Sequence, residues 1–267
     1  MINKELTNNY IVSKSFRYYL FTTTIGIIAA SLGMIVDGLV IGNFMDYNAV
    51  AANGMCSPAR MALTALTTIF ANGGTILVSY YIGRGNKDKV NQSFTVVIVS
   101  SFIVSIIIAS LSPFYVNSLV AILGAKGVIA ELASDYMLGL LIGTTPYLIS
   151  QVLFYFIRLD GSPKLSLFSV AVMTIVNISL DIMFVTVFDF GMFGIGIATS
   201  ISYLIAVIIS LFHVFSKKSS FHLTKIENKM DVFKILKLGY PTSLNGVYTA
   251  LRSYVTNNLA FWLMVEL

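Results

Sequence analysis

Stretches of roughly 20 or more residues with almost no charge recur along the whole chain, and each ends in a short polar segment. A helix of about 20 apolar residues crosses the hydrocarbon core with every backbone N–H and C=O bonded internally. The pattern predicts an all-α fold, a polytopic transmembrane helix bundle. Helices are expected over residues 17–44, 50–82, 92–111, 129–157, 165–188 and 192–216, with a seventh beginning near 232. Charged residues make up only 11% of the chain, against about 25% in an ordinary soluble domain. So few charges cannot clothe a water-facing surface, and much of the exterior must face lipid.

Several function classes drop out. The lone cysteine, Cys56, can form neither an internal disulfide nor a thiolate metal cage, and His213 and His222 have no second ligand at metal spacing. No metal or cofactor is expected. No Ser/His/Asp or Cys/His set falls at one depth, so an enzyme is not expected. The net charge of +5 is not gathered into a stripe, which argues against nucleic acid. Gly83-Arg84-Gly85 lacks the Gly-Lys-Ser/Thr of a phosphate loop and reads as a tight turn, as does Asp160-Gly161-Ser162-Pro163.

The basic residues orient the chain. Lys4, Lys14 and Arg17 precede the first helix, and Arg84, Lys87 and Lys89 follow the second. Arg158 and Lys164 flank the turn after the fourth. Lys217, Lys218, Lys225, Lys229, Lys234 and Lys237 cluster after the sixth. Fourteen of the 17 Lys and Arg thus fall on alternate connections, with Lys126 alone on the other side and Arg60 and Arg252 inside helices. Basic connections stay cytoplasmic, so the N-terminus is expected inside and the first six helices form three hairpins. In the sixth, Gly194, Ala198, Ser202, Ala206 and Ser210 repeat every four residues, a small-residue stripe suited to close helix packing.

Polar groups inside such helices are costly and mark function by default. Asp37, Asp181 and Thr199 each lie seven residues from the expected outer end of their helix, at roughly 10 Å depth. Asn177 shares a helix face with Asp181. Two carboxylates, an amide oxygen and a hydroxyl at one level suit a hard monovalent cation or a proton. The competing readings are an Asp37 that reaches water and an Asn177–Asp181 bond that merely joins helices. Tyr136 is a further hydroxyl at this level, or an interfacial tyrosine. Arg60, at similar depth, is expected to extend to the outer interface, or else to pair with Asp37. Gln151 and Asn72 are candidates to line a cavity.

The ordered set of segments resembles the multidrug and toxic compound extrusion (MATE) family. It comprises Asp37-Gly-Leu-Val-Ile-Gly-Asn-Phe, Gly74-Thr-Ile-Leu-Val-Ser-Tyr-Tyr-Ile-Gly-Arg-Gly-Asn-Lys-Asp-Lys, Arg158-Leu-Asp-Gly-Ser-Pro-Lys, Asn177-Ile-Ser-Leu-Asp181, Gly194-Ile-Gly-Ile-Ala-Thr-Ser and Lys237-Leu-Gly-Tyr-Pro. The resemblance implies a cation-coupled antiporter, driven by Na⁺ or H⁺, that exports drugs or metabolites through a cavity between two six-helix lobes. It places the coupling site at Asp37, Asn177, Asp181 and Thr199, with Tyr136 matching a helix 4 tyrosine of some members. Arg60 is a departure, since that position is usually apolar in the family. On this reading residues 1–216 are the N-terminal lobe, 217–231 a basic cytoplasmic linker, and 232–267 the first helix of a C-terminal lobe whose remainder is missing and would be needed for function. The implied partners are membrane lipid and an amphipathic or cationic small-molecule substrate, with the protein multi-pass in the cell membrane. The rival readings are a lipid-linked saccharide flippase and a truncated fragment that transports nothing.

Overall fold

The computed structural model describes residues 2–226 and 231–265, with side chains from residue 12 to residue 259 apart from Ala30, Met34 and 227–230. Lys229 of the basic cluster, the Lys4 side chain and residues 266–267 lie outside the described residues. The described residues form nine α-helices and no strand: α1 Ile2–Phe44, α2 Tyr47–Met55, α3 Ser57–Gly83, α4 Lys87–Ile122, α5 Val128–Ile142, α6 Thr144–Leu159, α7 Pro163–Thr186, α8 Gly191–Val214 and α9 Asp231–Val265. Five stretches are long and apolar enough to cross a membrane: Val12–Phe44, Tyr47–Gly83, Lys87–Ile122, Pro163–Thr186 and Gly191–Val214. Taken together, the bent pair α5–α6 also passes on length and composition, for up to six spans among the described residues. The protein is a multi-pass membrane protein. Helix α9 is the expected seventh helix but is too polar to count as a further span on composition.

The boundaries differ from expectation for local reasons. Helix α1 starts at Ile2, because no Gly or Pro breaks residues 2–25. The helix expected over 50–82 is two helices. Asp46 caps α2 by accepting the Ala49 N–H at 3.0 Å, and Pro58 restarts the chain as α3, since it supplies no N–H to continue a preceding turn. The helix expected over 92–111 extends to Lys87–Ile122 in spite of Pro113. Proline removes the N–H that would bond Ala109 O, and the Ser112 hydroxyl donates to that carbonyl at 2.7 Å instead. The helix expected over 129–157 is bent by 53° at Gly143. A Cβ at Gly143 would overlap the Ser200 side chain.

Lipid and protein are both apolar, so backbone approach rather than hydrophobic drive holds these helices together. All five members of the small-residue stripe are buried, and Ala206 packs with Val170 and Met173 of α7. Helix α5 meets α8 at Gly139 and Gly196; a Cβ on Gly139 would stand 2.7 Å from Phe193 O. Helix α1 buries Gly26, Gly33, Asp37 and Val40 and exposes Ile28, Leu32, Ile35 and Leu39, one inward and one lipid-facing side.

The basic turns share one face. There, the segment after α8 is tied across the ends of α4 and α6. Phe221 packs between Phe94 and Phe156 at 5.4 and 5.5 Å. Asp160 accepts the Ser220 N–H at 3.1 Å and pairs with His213 at 2.9 Å. Asn91 and Thr95 accept the N–H groups of His222 and Thr224. The chain then returns as α9, packed lengthwise on α3. Backbone contact is closest where Gly73 meets Ile235 and Gly239 meets Ile69. Farther along, Ser57 and Ser253 share a hydrogen bond at 2.7 Å, and Asn257 Nδ2 donates to Gly54 O at 2.9 Å.

This docking is testable by crosslinking. Ser57→Cys with Ser253→Cys, on a Cys56→Ala background, should form a disulfide under mild oxidation. Adding Gly239→Leu should prevent it by forcing α9 off α3. A double-cysteine protein that stays reduced would contradict the α3–α9 contact.

Candidate functional site

Two polar clusters line one cavity of about 420 Å³ between α1, α3, α5, α6, α7 and α8. The first is the set expected from depth alone. Helix α7 places Asn177 and Asp181 one turn apart, and the Asn177 amide donates to Asp181 Oδ2 at 3.2 Å and to Thr199 Oγ1 of α8 at 3.4 Å. The Thr199 hydroxyl donates to Ile195 O at 3.1 Å. From α1, the Asp37 carboxyl comes within hydrogen-bonding contact of the Asp181 carboxyl. Gly33 keeps α1 smooth beside this site: a Cβ there would lie 3.9 Å from Asn177 Oδ1.

Burial makes this cluster unusual. Asp181 is 0% exposed, Asn177 7% and Asp37 8%. Asp37, Asn177 and Thr199 line the cavity, whereas Asp181 lies behind them. One oxygen of each carboxyl, Asp37 Oδ1 and Asp181 Oδ1, is buried without a hydrogen-bond partner. Leaving a buried acceptor unmet costs about 1–3 kcal/mol, and more when it is charged. Two carboxyls in contact also repel unless a proton or cation lies between them. The two carboxyls and the Thr199 hydroxyl are oxygen groups, which fit a proton or a hard cation and not a soft metal. No group of three His, Cys, Asp or Glu with metal-binding geometry occurs among the described residues.

The second cluster corrects an expectation. Arg60 does not reach for the outer interface. Its Nη1 donates to Asn53 Oδ1 at 2.6 Å and to Tyr136 Oη at 2.7 Å, and Nη2 reaches Asn53 O at 3.5 Å. The guanidinium stands over the Tyr136 ring, 5.5 Å from its centroid. Nor does it form a salt bridge with Asp37, although both line the cavity. Tyr136 is 1% exposed, so it is a buried partner of Arg60 and not an interfacial tyrosine. Its position one turn before Gly139 fixes it at the α5–α8 crossing. Gln151 lines the cavity; Asn72 does not.

Sequence reading missed Asn53, which lies seven residues before Arg60 on the other side of the α2–α3 break. It also missed Tyr147 and Tyr203, whose rings meet edge to face at 4.8 Å in the cavity wall, and the Thr64–Tyr147 hydroxyl bond at 3.0 Å. Those contacts join helices far apart in sequence and leave no local signal.

The MatE family model matches residues 23–183. The chain is 22% identical over 251 residues to the probable multidrug resistance protein YoeA of Bacillus subtilis (strain 168), covering 90% of this chain and 54% of that protein. It is 25% identical over 258 residues to the multidrug export protein MepA of Staphylococcus saprophyticus, covering 92% of this chain and 55% of that protein. Among solved structures, the MATE multidrug transporter DinF-BH superposes with a TM-score of 0.86 at 21% identity, covering 94% of this chain and 57% of that one. The chain therefore spans about half the length of the relatives it matches.

The α5–α8 crossing should be the most substitution-sensitive support of the site. Gly139→Leu is expected to cost about 1–3 kcal/mol by overpacking, seen as a lowered unfolding midpoint in detergent. Gly42→Ala, where nothing lies within 4 Å of the new Cβ, should leave the midpoint unchanged or slightly raised. Equal midpoints for the two variants would contradict the close crossing.

Proposed function

The chain belongs to the MatE family, and we propose that it works as a cation-coupled antiporter that exports small molecules across the cell membrane. The observation that carries this reading is the Asp37–Asp181 contact, with one orphaned oxygen on each side. A proton or a Na⁺ ion between the carboxyls relieves both their repulsion and their unmet hydrogen bonding. Asn177 donates its amide to Asp181 and links the pair to the Thr199 hydroxyl. The substrate cavity is adjacent, since three of these four residues also form its wall.

The mechanism follows from where the site sits. Helix α1 contributes only Asp37, and it packs on α7 through Gly33. Loading or emptying the pair changes the free energy of the α1–α7 contact and so biases the packing of α1. In the transporter, that bias tilts this lobe, residues 1–216, against a second lobe that begins with α9. The cavity is thereby exposed alternately to the two sides. The basic linker after α8 and the other basic turns face the cytoplasm, which puts the N-terminus inside. MatE proteins are transporters and not enzymes, and the multidrug export named for MepA, with the multidrug resistance named for YoeA, supports drugs as cargo.

Asp37→Asn and Asp181→Asn should each reduce cation-driven dye efflux from everted vesicles at least about tenfold, because a neutral amide cannot exchange a proton or cation charge. Protein abundance, read on the same vesicles, should stay comparable. Normal efflux by both variants would sink the site assignment. Ethidium efflux by vesicles carrying only these 267 residues would show that the second lobe is dispensable, contrary to the proposal.

A further inference from the structure

The cavity wall carries two guanidiniums and one carboxylate: Arg60, Arg158 and Asp37. Asp37 is committed to Asp181, and a proton or cation shared by that pair leaves at most one net negative charge beside two positive ones. Neither arginine forms a salt bridge, since those among the described residues are His213–Asp160 and Lys234–Asp231 alone, and Asp37 acts on Arg60 only through space. Arg60 bonds only neutral oxygens, and its Nε has no partner among the described residues. Arg158 donates through Nε to Ser166 Oγ at 3.1 Å, and its two terminal nitrogens have no hydrogen-bond partner among the described residues. A half-buried guanidinium without an anion is an expensive arrangement that an anionic ligand relieves.

The aromatic walls suit a ring on the ligand. A cationic ligand would seek the faces of tyrosine rings. Two of those faces are taken: Arg60 stands over Tyr136, and Arg158 lies 5.8 Å from the Tyr155 centroid. The rings of Tyr147, Tyr203 and Phe154 remain to pack against an aromatic ring.

The two arginines come from different helices, Arg60 from α3 and Arg158 from α6. Arg158 Nη2 lies beside Gly26 of α1, 3.8 Å from where its Cβ would be, and Asp37 is eleven residues farther along the same helix. That separation is about 16 Å. An acidic group entering past Arg158 would find a second cationic stop at Arg60.

We propose that this cavity recognises an anionic aromatic small molecule, its acid group held by Arg60 and its ring by Tyr147, Tyr203 and Phe154. The inference rests on the reading of the cavity as a substrate site, and it reverses the charge of the cargo expected from the sequence. Specificity then comes from an arginine at a position where the family usually has an apolar residue.

A matched pair of fluorescent probes tests it. Dansylglycine carries a carboxylate and dansylcadaverine an amine on the same ring system. Their binding to the purified 267-residue chain is titrated in phosphatidylcholine nanodiscs. Dansylglycine should bind at least about tenfold more tightly than dansylcadaverine. Arg60→Ala should weaken dansylglycine by about tenfold or more while leaving dansylcadaverine unchanged or tighter, and Arg60→Lys should keep part of the affinity. Arg158→Ala, on a different helix, should lower dansylglycine binding less. Phosphatidylglycerol added to the nanodiscs should compete with dansylglycine if the natural acid is a lipid headgroup, and not if it is a free anion. Tighter dansylcadaverine binding by the unsubstituted chain, or an equal loss of both probes in Arg60→Ala and Arg60→Lys, would overturn the proposal. Binding is read without transport, so failed efflux in the Asp37 and Asp181 variants bears on the coupling reading and leaves this one standing.

Discussion

Hydrocarbon offers no partner to a polar atom, and the contact between Asp37 and Asp181 is the place where that constraint presses hardest. The two carboxyls come from α1 and α7, are almost wholly buried, and each leaves one oxygen unmet. Everything around them serves to make such a contact possible. Gly33 lets α1 lie against α7, the α7–α8 seam of small residues brings Thr199 to Asn177, and the bend at Gly143 admits Ser200. Without a proton or a cation the pair would push α1 and α7 apart, which is why we propose it as the coupling point.

The polar atoms elsewhere show how strictly the rule is kept. Ser112 answers the carbonyl that Pro113 leaves without a donor. Most hydroxyls along the helices donate back to carbonyls three or four residues earlier, as in Thr75, Ser101 and Thr186. The hydroxyls of Ser93, Thr144, Ser169 and Ser210 also lack a partner, but the orphaned carboxyl oxygens and the unbridged guanidiniums of Arg60 and Arg158 are the groups suited to something small and charged. The two sets are complementary: one suits a monovalent cation, the other an acid group, and they open on one cavity.

Much of this was legible in the sequence because membranes simplify the code. The apolar runs located the helices, and the first six expected ones correspond to five candidate spans and one bent pair. Asp37, Asn177, Asp181 and Thr199 could be set at one level because a helix converts residue count into depth. Arg60 misled because its length permits either an interfacial or an inward pose, and the decision lies with Asn53 and Tyr136, whose contact with it no local pattern announces. The same holds for the break at Cys56-Ser57-Pro58, where an apolar run conceals two helices. It holds again for the Asp160–His213 pair, which joins the ends of α6 and α8. The small-residue stripe of α8 was visible, but the second crossing on the same helix, Gly196 against Gly139, needs the partner helix to be seen.

The central claim is that one exchangeable monovalent charge sits in the buried carboxyl pair. Its most direct test is difference infrared spectroscopy of the purified protein in lipid, recorded as Na⁺ is added or pH is raised. A shared proton or cation at Asp37–Asp181 requires a carboxyl band that responds to exchange in the unsubstituted protein and is absent from both Asp37→Asn and Asp181→Asn. A response that survives in both variants would place the exchanging charge elsewhere and contradict the coupling role of the pair.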